Sequence, residues 1–126
     1  MTECKINHLS PSTLSFLGDA VFCLFVRTRL VDRYDYKSGE LTKRASQIVS
    51  AVSQSRMLKK IEEVLTDEES DIVKRCKNAY SKTVAKNASI GEYHRASGLE
   101  GLIGWLYLTE QEDRLKQILD NCLGEN

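Results

Sequence analysis

The sequence predicts an all-α fold, a compact single domain of about six helices spanning residues 1–126 with its core over about 9–120. Three observations carry this expectation. Apolar residues recur at spacings of three and four along nearly the whole chain, and strand-like alternation is almost absent. One proline and seven glycines are too few for a turn-rich β fold. At 126 residues, 41% of them apolar, the chain is long enough to bury one core and too short for two.

The elements follow in order. Ser10-Pro11 is a helix start, with Ser10 as cap and Pro11 at the first helical position. Leu14, Leu17, Val21, Leu24 and Phe25 continue at helical spacing to about Val31. After a polar break at 34–39, a second helix runs from Ser38 to about Val52, and a third covers about Ser55–Leu65. Thr66 with Glu69 forms a capping box that opens a fourth helix, ending near Tyr80. Residues 81–91 have loop composition. A fifth helix is expected over about Glu92–Leu108 and a sixth over about Gln111–Leu123. The first and fifth are apolar on more than one side, which suits the centre of the fold or a subunit interface. Phe22, Phe25 and Cys23 on the first helix are the expected interface residues.

Several function classes are excluded at this level. Lys and Arg number 18, as do Asp and Glu, so the chain has no overall basic coat. Cys4, Cys23, Cys76 and Cys122 form no short-spaced pair, and neither His8 nor His94 completes a zinc pattern. The N-terminal ten residues are polar, and no apolar run approaches the ~20 residues of a membrane span. A soluble, reducing, cytoplasmic setting without membrane attachment is therefore expected. No Gly-rich phosphate loop, nucleophile elbow or H-E-x-x-H is present. Cys76, flanked by Lys74, Arg75 and Lys77, is a minor candidate for a thiol of lowered pKa.

Two carboxylates stand out. Asp19 and Glu100 each head an apolar run inside a core helix, in Phe16-Leu17-Gly18-Asp19-Ala20-Val21 and Leu99-Glu100-Gly101-Leu102-Ile103-Gly104. Burying an ionised carboxylate costs several kcal/mol unless a partner compensates. Ser12, Ser15, Asp19 and Cys23 share one helical stripe, and Ser97, Glu100 and Gly104 share another. Two stripes of small residues, each with one carboxylate, can face each other across a cleft, where a divalent cation relieves their repulsion. Mg²⁺ suits such a place, because it takes oxygen ligands and often only one or two carboxylates. The alternative is local: Asp19 caps a helix after a break at Gly18, and Glu100 pairs with Arg95 or a lysine.

A second feature is a reversal of charge. Residues 61–71 hold six acids and no base, whereas residues 72–91 hold Lys74, Arg75, Lys77, Lys82 and Lys86 and no acid. A net of five negative charges is left on the rest of the chain. Asn78 and Asn87 add neutral donors to the basic stretch. Such groups suit phosphate oxygens, and the scarcity of aromatics favours tracking a duplex backbone over stacking single-stranded bases.

These segments resemble the ribonuclease III family. Phe16–Val21 is similar to that family's signature, Leu99–Leu108 to its second acidic motif, and Gly39-Glu40-Leu41-Thr42 with Arg44 to the helix between them. The length, together with Arg75-Cys76-Lys77-Asn78-Ala79 and Thr83–Asn87, resembles the bacterial mini branch, which lacks a double-stranded-RNA-binding domain. The resemblance covers about residues 9–120. It implies a homodimeric, Mg²⁺-dependent endoribonuclease that cleaves double-stranded RNA to leave 5′-phosphates and matures the large-subunit (23S) ribosomal RNA precursor. A ribosomal protein bound to that RNA is a further expected partner. Asp19 and Glu100 match the catalytic, metal-holding carboxylates; Lys74, Arg75, Lys77, Asn78, Lys82, Lys86 and Asn87 are the expected RNA-binding residues. The chain departs from full-length ribonuclease III at Ser12, Ser15 and Ser97, where that enzyme carries further acids, so waters or a serine hydroxyl are expected to complete the metal shell. A non-catalytic RNA-binding module on the same fold is the rival reading.

Overall fold

The computed structural model describes residues 1–78 and 88–124, and these form seven α-helices and one 3₁₀ turn, with no strand among them. The helices are α1 (Glu3–Asn7), α2 (Pro11–Arg33), α3 (Ser38–Ile48), α4 (Ala51–Ile61), α5 (Asp67–Lys77), α6 (Ile90–Leu108) and α7 (Glu112–Leu123), and the 3₁₀ turn is Glu62–Val64. The all-α expectation holds.

Caps decide where most helices begin. Ser10 accepts a hydrogen bond from the Thr13 N–H, with Pro11 in the first turn of α2. Thr66 and Glu69 form the expected reciprocal capping box on α5. A second such box, Ser89 with Glu92, starts α6 at Ile90, two residues before the expected start. The α3–α4 boundary also differs. Ser50 accepts from the Ser53 N–H and opens α4 at Ala51, so the break falls at Val49-Ser50 and not after Val52. Ser46, Ser50, Ser53 and Ser55 all lie near this junction, and composition does not say which of them caps. Helix α1 was not expected. It is too short for periodicity to register, and Ile6 is its one buried residue.

Helix α6 is the centre of the fold. Gly98, Leu99 and all residues from Gly101 to Leu106 are buried. Helix α2 makes the most extensive contact with it, followed by α5 and α4. The buried residues of α2 are Leu14, Gly18, Phe22, Val26 and Leu30, one residue in every four. Phe22 is fully buried in this stripe, which corrects its assignment to a subunit interface. Every outward face of Phe22 is already occupied by the chain's own core. Phe16 and Leu24, in contrast, are 81% and 68% exposed.

Glycines set the distance between these helices. A Cβ on Gly18 would overlap the Glu100 carbonyl oxygen, and one on Gly104 would overlap the Leu14 carbonyl oxygen. Backbone therefore meets backbone where α2 crosses α6. On another side of α6, Gly98 lies against Val73 and the stem of Lys77, and Gly101 lies against Cys76. The periphery is tied by charge. Buried Glu69 receives Arg114 Nε and Nη2 at 2.8 and 2.7 Å, joining α5 to α7, and Arg114 also donates to the Val64 carbonyl. The guanidinium holds the Glu69 carboxyl below the ordinary carboxylate range, against the opposing effect of burial.

Candidate active site

Asp19 and Glu100 are brought together by the glycine contact. Gly18, the residue before Asp19, abuts the backbone of Glu100 itself. Helix α2 runs unbroken through Gly18-Asp19, so Asp19 is not a cap. Nor does Glu100 take the expected local cation: Arg95 Nε instead donates to Ser55 Oγ at 2.6 Å. Glu100 accepts from Gln54 Nε2 at 3.3 Å, and Asp19 is close enough for its negative charge to act on the Glu100 carboxyl. Asp19 is exposed and Glu100 half-buried, so the pair is open to solvent on one side.

The electrostatics follow from this placement. Glu100 is pushed from 4.5 up to about 8, first by burial, then by the hydrogen bond and negative charge of Asp19, with Gln54 pulling the other way. Cys23, one turn along α2, points its thiol at Asp19 Oδ1 (3.8 Å). Burial and the two carboxylates raise the pKa of that thiol, so it offers a proton and not a thiolate.

This geometry has a pH consequence. A carboxyl whose pKa is higher folded than unfolded binds its proton more tightly in the native state. Its stabilising contribution is full below the unfolded value, near 4.5, and is lost as pH rises toward about 8. In chelator, the melting temperature is expected to fall as pH is raised from about 5 to about 8, and Glu100→Gln is expected to flatten that slope. Thermal melts of both proteins in EDTA across this range check it; an unchanged slope in Glu100→Gln would contradict the assignment.

The serines of the α2 stripe are otherwise engaged. Ser15 Oγ donates to the Ser97 carbonyl at 2.8 Å, and Ser12 Oγ lies 3.2 Å from Ser10 Oγ. Among the described residues, no cluster of three or more His, Cys, Asp or Glu is arranged to hold a metal. Any cation here rests on the carboxylate pair.

The basic stretch is only partly described. Lys74 and Asn78 are exposed at the C-terminal end of α5, and Lys77 is half-buried with its stem on Gly98, two residues before Glu100. Arg75 donates through Nη2 to the Leu9 carbonyl, so it also anchors the segment preceding α2. Lys82, Lys86 and Asn87 lie outside the described residues. Cys76 is fully buried, and burial raises its thiol to about 11 despite the nearby Arg75, which removes it as a nucleophile.

Gln54 is a site residue that sequence reasoning missed. It shares the helical spacing of Leu58 and Ile61, which places it on the buried face of α4. Starting that helix at Ser55 left it out; the Ser50 cap restores it.

Comparison with known proteins agrees with the family resemblance. A family model described as the ribonuclease III domain matches residues 12–111. The chain belongs to the ribonuclease III family. Among proteins of that family, it is 41% identical over 128 residues to the mini-ribonuclease 3 of Staphylococcus aureus, covering 98% of this chain and 96% of that protein. It is 38% identical to the mini-ribonuclease 3 of a Thermoanaerobacter species over 120 residues, covering 95% and 84%. A crystal structure of a Fusobacterium nucleatum protein superposes with a TM-score of 0.84 at 36% identity, covering 91% of this chain and 92% of that one. The ribonuclease III domain here is accordingly a catalytic one, an endoribonuclease, and its matched span contains both Asp19 and Glu100. No helix among the described residues is long and apolar enough to cross a membrane.

Proposed function

We propose that this ribonuclease III domain is a Mg²⁺-dependent endoribonuclease that cuts double-stranded RNA, with the large-subunit ribosomal RNA precursor as its substrate. The observation that supports this reading most is the Asp19–Glu100 pair, set by backbone contact at the crossing of α2 and α6. The donor set fits the cation. Both side chains offer oxygen, their mutual repulsion calls for a positive charge, and the one nearby thiol is held protonated, which disfavours softer metals. Bound there, Mg²⁺ supplies Lewis-acid polarisation of a phosphate and lowers the pKa of water at the site.

The chain's own groups do the rest. Asp19 on α2 and Glu100 on α6 would hold the cation. Lys74 and Lys77 on α5, together with Lys82, Lys86 and Asn87 in the sequence that follows, supply positive charge and donors for phosphate oxygens. The exposed apolar part of α2 is the proposed surface for a second copy of this chain. There Val21, Leu24, Phe25, Leu115 and Leu119 line an apolar groove of about 300 Å³ between α2 and α7. A two-fold dimer carries two carboxylate pairs and two basic segments, enough to address both strands of a duplex.

Incubation of the purified protein with structured duplex RNA, with Mg²⁺ or with EDTA, tests the reading. Cleavage leaving 5′-phosphates only when Mg²⁺ is present is the expected result; binding without cleavage would leave only an RNA-binding module. Salt titration tests the basic segment. Wild-type affinity should fall steeply with salt, and Lys82→Ala with Lys86→Ala should reduce the slope of log K against log[salt] by about 1–2, since each lost phosphate contact removes slightly under one unit. An unchanged slope would take that segment out of the interface.

A further inference from the structure

The polar accounting of the site does not close at Gln54. Its side chain is buried on α4, and its Nε2 serves two acceptors, the Val49 carbonyl at 2.9 Å and Glu100 Oε2 at 3.3 Å. Two acceptors require the NH₂ end of the amide to face them, which fixes the orientation of the group. Val49 is the residue at which α3 ends, so its carbonyl lacks a helical partner and is free to anchor the amide. The cost falls on the other end. Gln54 Oε1 is the one buried side-chain oxygen or nitrogen without a hydrogen-bond partner among the described residues. Burying an unpaired amide oxygen is unfavourable, and an apolar residue in line with Leu58 and Ile61 would avoid it. Oε1 belongs to the same small planar group whose nitrogen touches Glu100, so the orphan acceptor lies close to the Glu100 carboxylate.

We propose that Gln54 is a positioning residue of the cleavage site. Its NH₂ group, anchored on Val49, fixes the Glu100 carboxylate for cation binding, and its Oε1 accepts a hydrogen bond from a water held at that site. The α3–α4 junction thereby sets the orientation of a carboxylate on α6. This inference rests on the cation-dependent reading above and assigns part of that site to α4. Partners that orient a metal's ligands typically contribute about 10–100-fold to affinity or activity.

The test uses the full chain with Gln54→Met and Gln54→Leu, which keep the volume and remove both polar ends. Calorimetric titration of the RNA-free protein with MgCl₂ should show affinity weakened about 10-fold or more in each variant. The Mg²⁺ concentration for half-maximal cleavage should rise by a similar factor, while affinity for duplex RNA in EDTA stays at the wild-type value. A purely structural role for Gln54 would move the melting temperature and leave the Mg²⁺ dependence alone, and that result would overturn the proposal. A measurement on the wild-type protein guards against variants that do not fold. The Gln54 side-chain NH₂ resonances should shift on addition of MgCl₂, and resonances indifferent to Mg²⁺ would also overturn it. A wild-type protein that neither binds Mg²⁺ nor cleaves RNA would instead remove the underlying reading. Wild-type binding and cleavage with unaltered variants would remove this inference alone.

Discussion

Asp19→Asn and Glu100→Gln are each expected to reduce Mg²⁺-dependent cleavage of duplex RNA by more than about 100-fold, because a direct charge on the cation is worth more than the 10–100-fold typical of residues that only orient its ligands. Each substitution keeps the shape of the side chain and removes one negative charge. The two should differ in stability. Glu100 is half-buried and repelled by Asp19, so the neutral amide is expected to raise the melting temperature above about pH 7 in EDTA, where burial of the charge costs most. Asp19 is exposed, so Asp19→Asn should help less, and only by relieving Glu100. Loss of activity together with unchanged or raised stability is the signature of a residue placed for chemistry at the expense of the fold. Single-turnover cleavage and thermal melts on the same preparations check both halves. Cleavage by Asp19→Asn at the wild-type rate would refute the assignment.

The two carboxylates were legible in the sequence because they contradict it. An acid at the head of an apolar helical run violates the pattern around it, and such violations concentrate where a chain trades stability for function. The helices were legible through their period and caps, and the Thr66–Glu69 box formed as expected. What escaped had no contrast to reveal it. Gln54 is polar and lies between Ser53 and Ser55, so nothing local separates it from a surface residue. The Ser50 cap extends α4 back past Ser55, and only then does the spacing of Leu58 and Ile61 place Gln54 on the buried face. Phe22 failed in the opposite sense. Apolar residues surround α2 on several sides, and composition does not say which side faces α6. The Gly18 contact settles that phase: residues at intervals of four from Gly18, including Phe22, turn inward, and Phe16 and Leu24 turn out. Arg75 shows the limit of reading charge from sequence. It belongs to an acid-free basic run, yet its guanidinium also supports the Leu9 carbonyl.

Gly18 is where fold and site are the same problem, and Gly18→Ala is expected to be among the most damaging single-methyl additions in the chain. On helix propensity alone the substitution is favourable by up to about 1 kcal/mol. The added Cβ, however, would overlap the carbonyl oxygen and carbon of Glu100 and come within 2.9 Å of the Gly104 nitrogen. These are backbone atoms in the interior of the central helix, so neither can swing aside as a side-chain tip would. Relief requires α2 and α6 to separate along their most extensive contact, opening gaps beside Leu14 and Phe22. Overpacking of this kind costs about 3 kcal/mol or more, which exceeds the propensity gain. Any protein that still folds has its helices spread at the point that sets Asp19 against Glu100, so its Mg²⁺ affinity should fall along with its melting temperature. Gly39→Ala provides the contrast. Gly39 lies in α3 with nothing within 4 Å of its missing Cβ, so alanine there should raise the melting temperature, by up to about 4 °C for a gain of about 1 kcal/mol. Melts of the two variants beside wild type separate sterics from propensity. A Gly18→Ala protein as stable as Gly39→Ala would mean that α2 and α6 do not meet backbone to backbone, and the carboxylate pair would lose the contact that positions it.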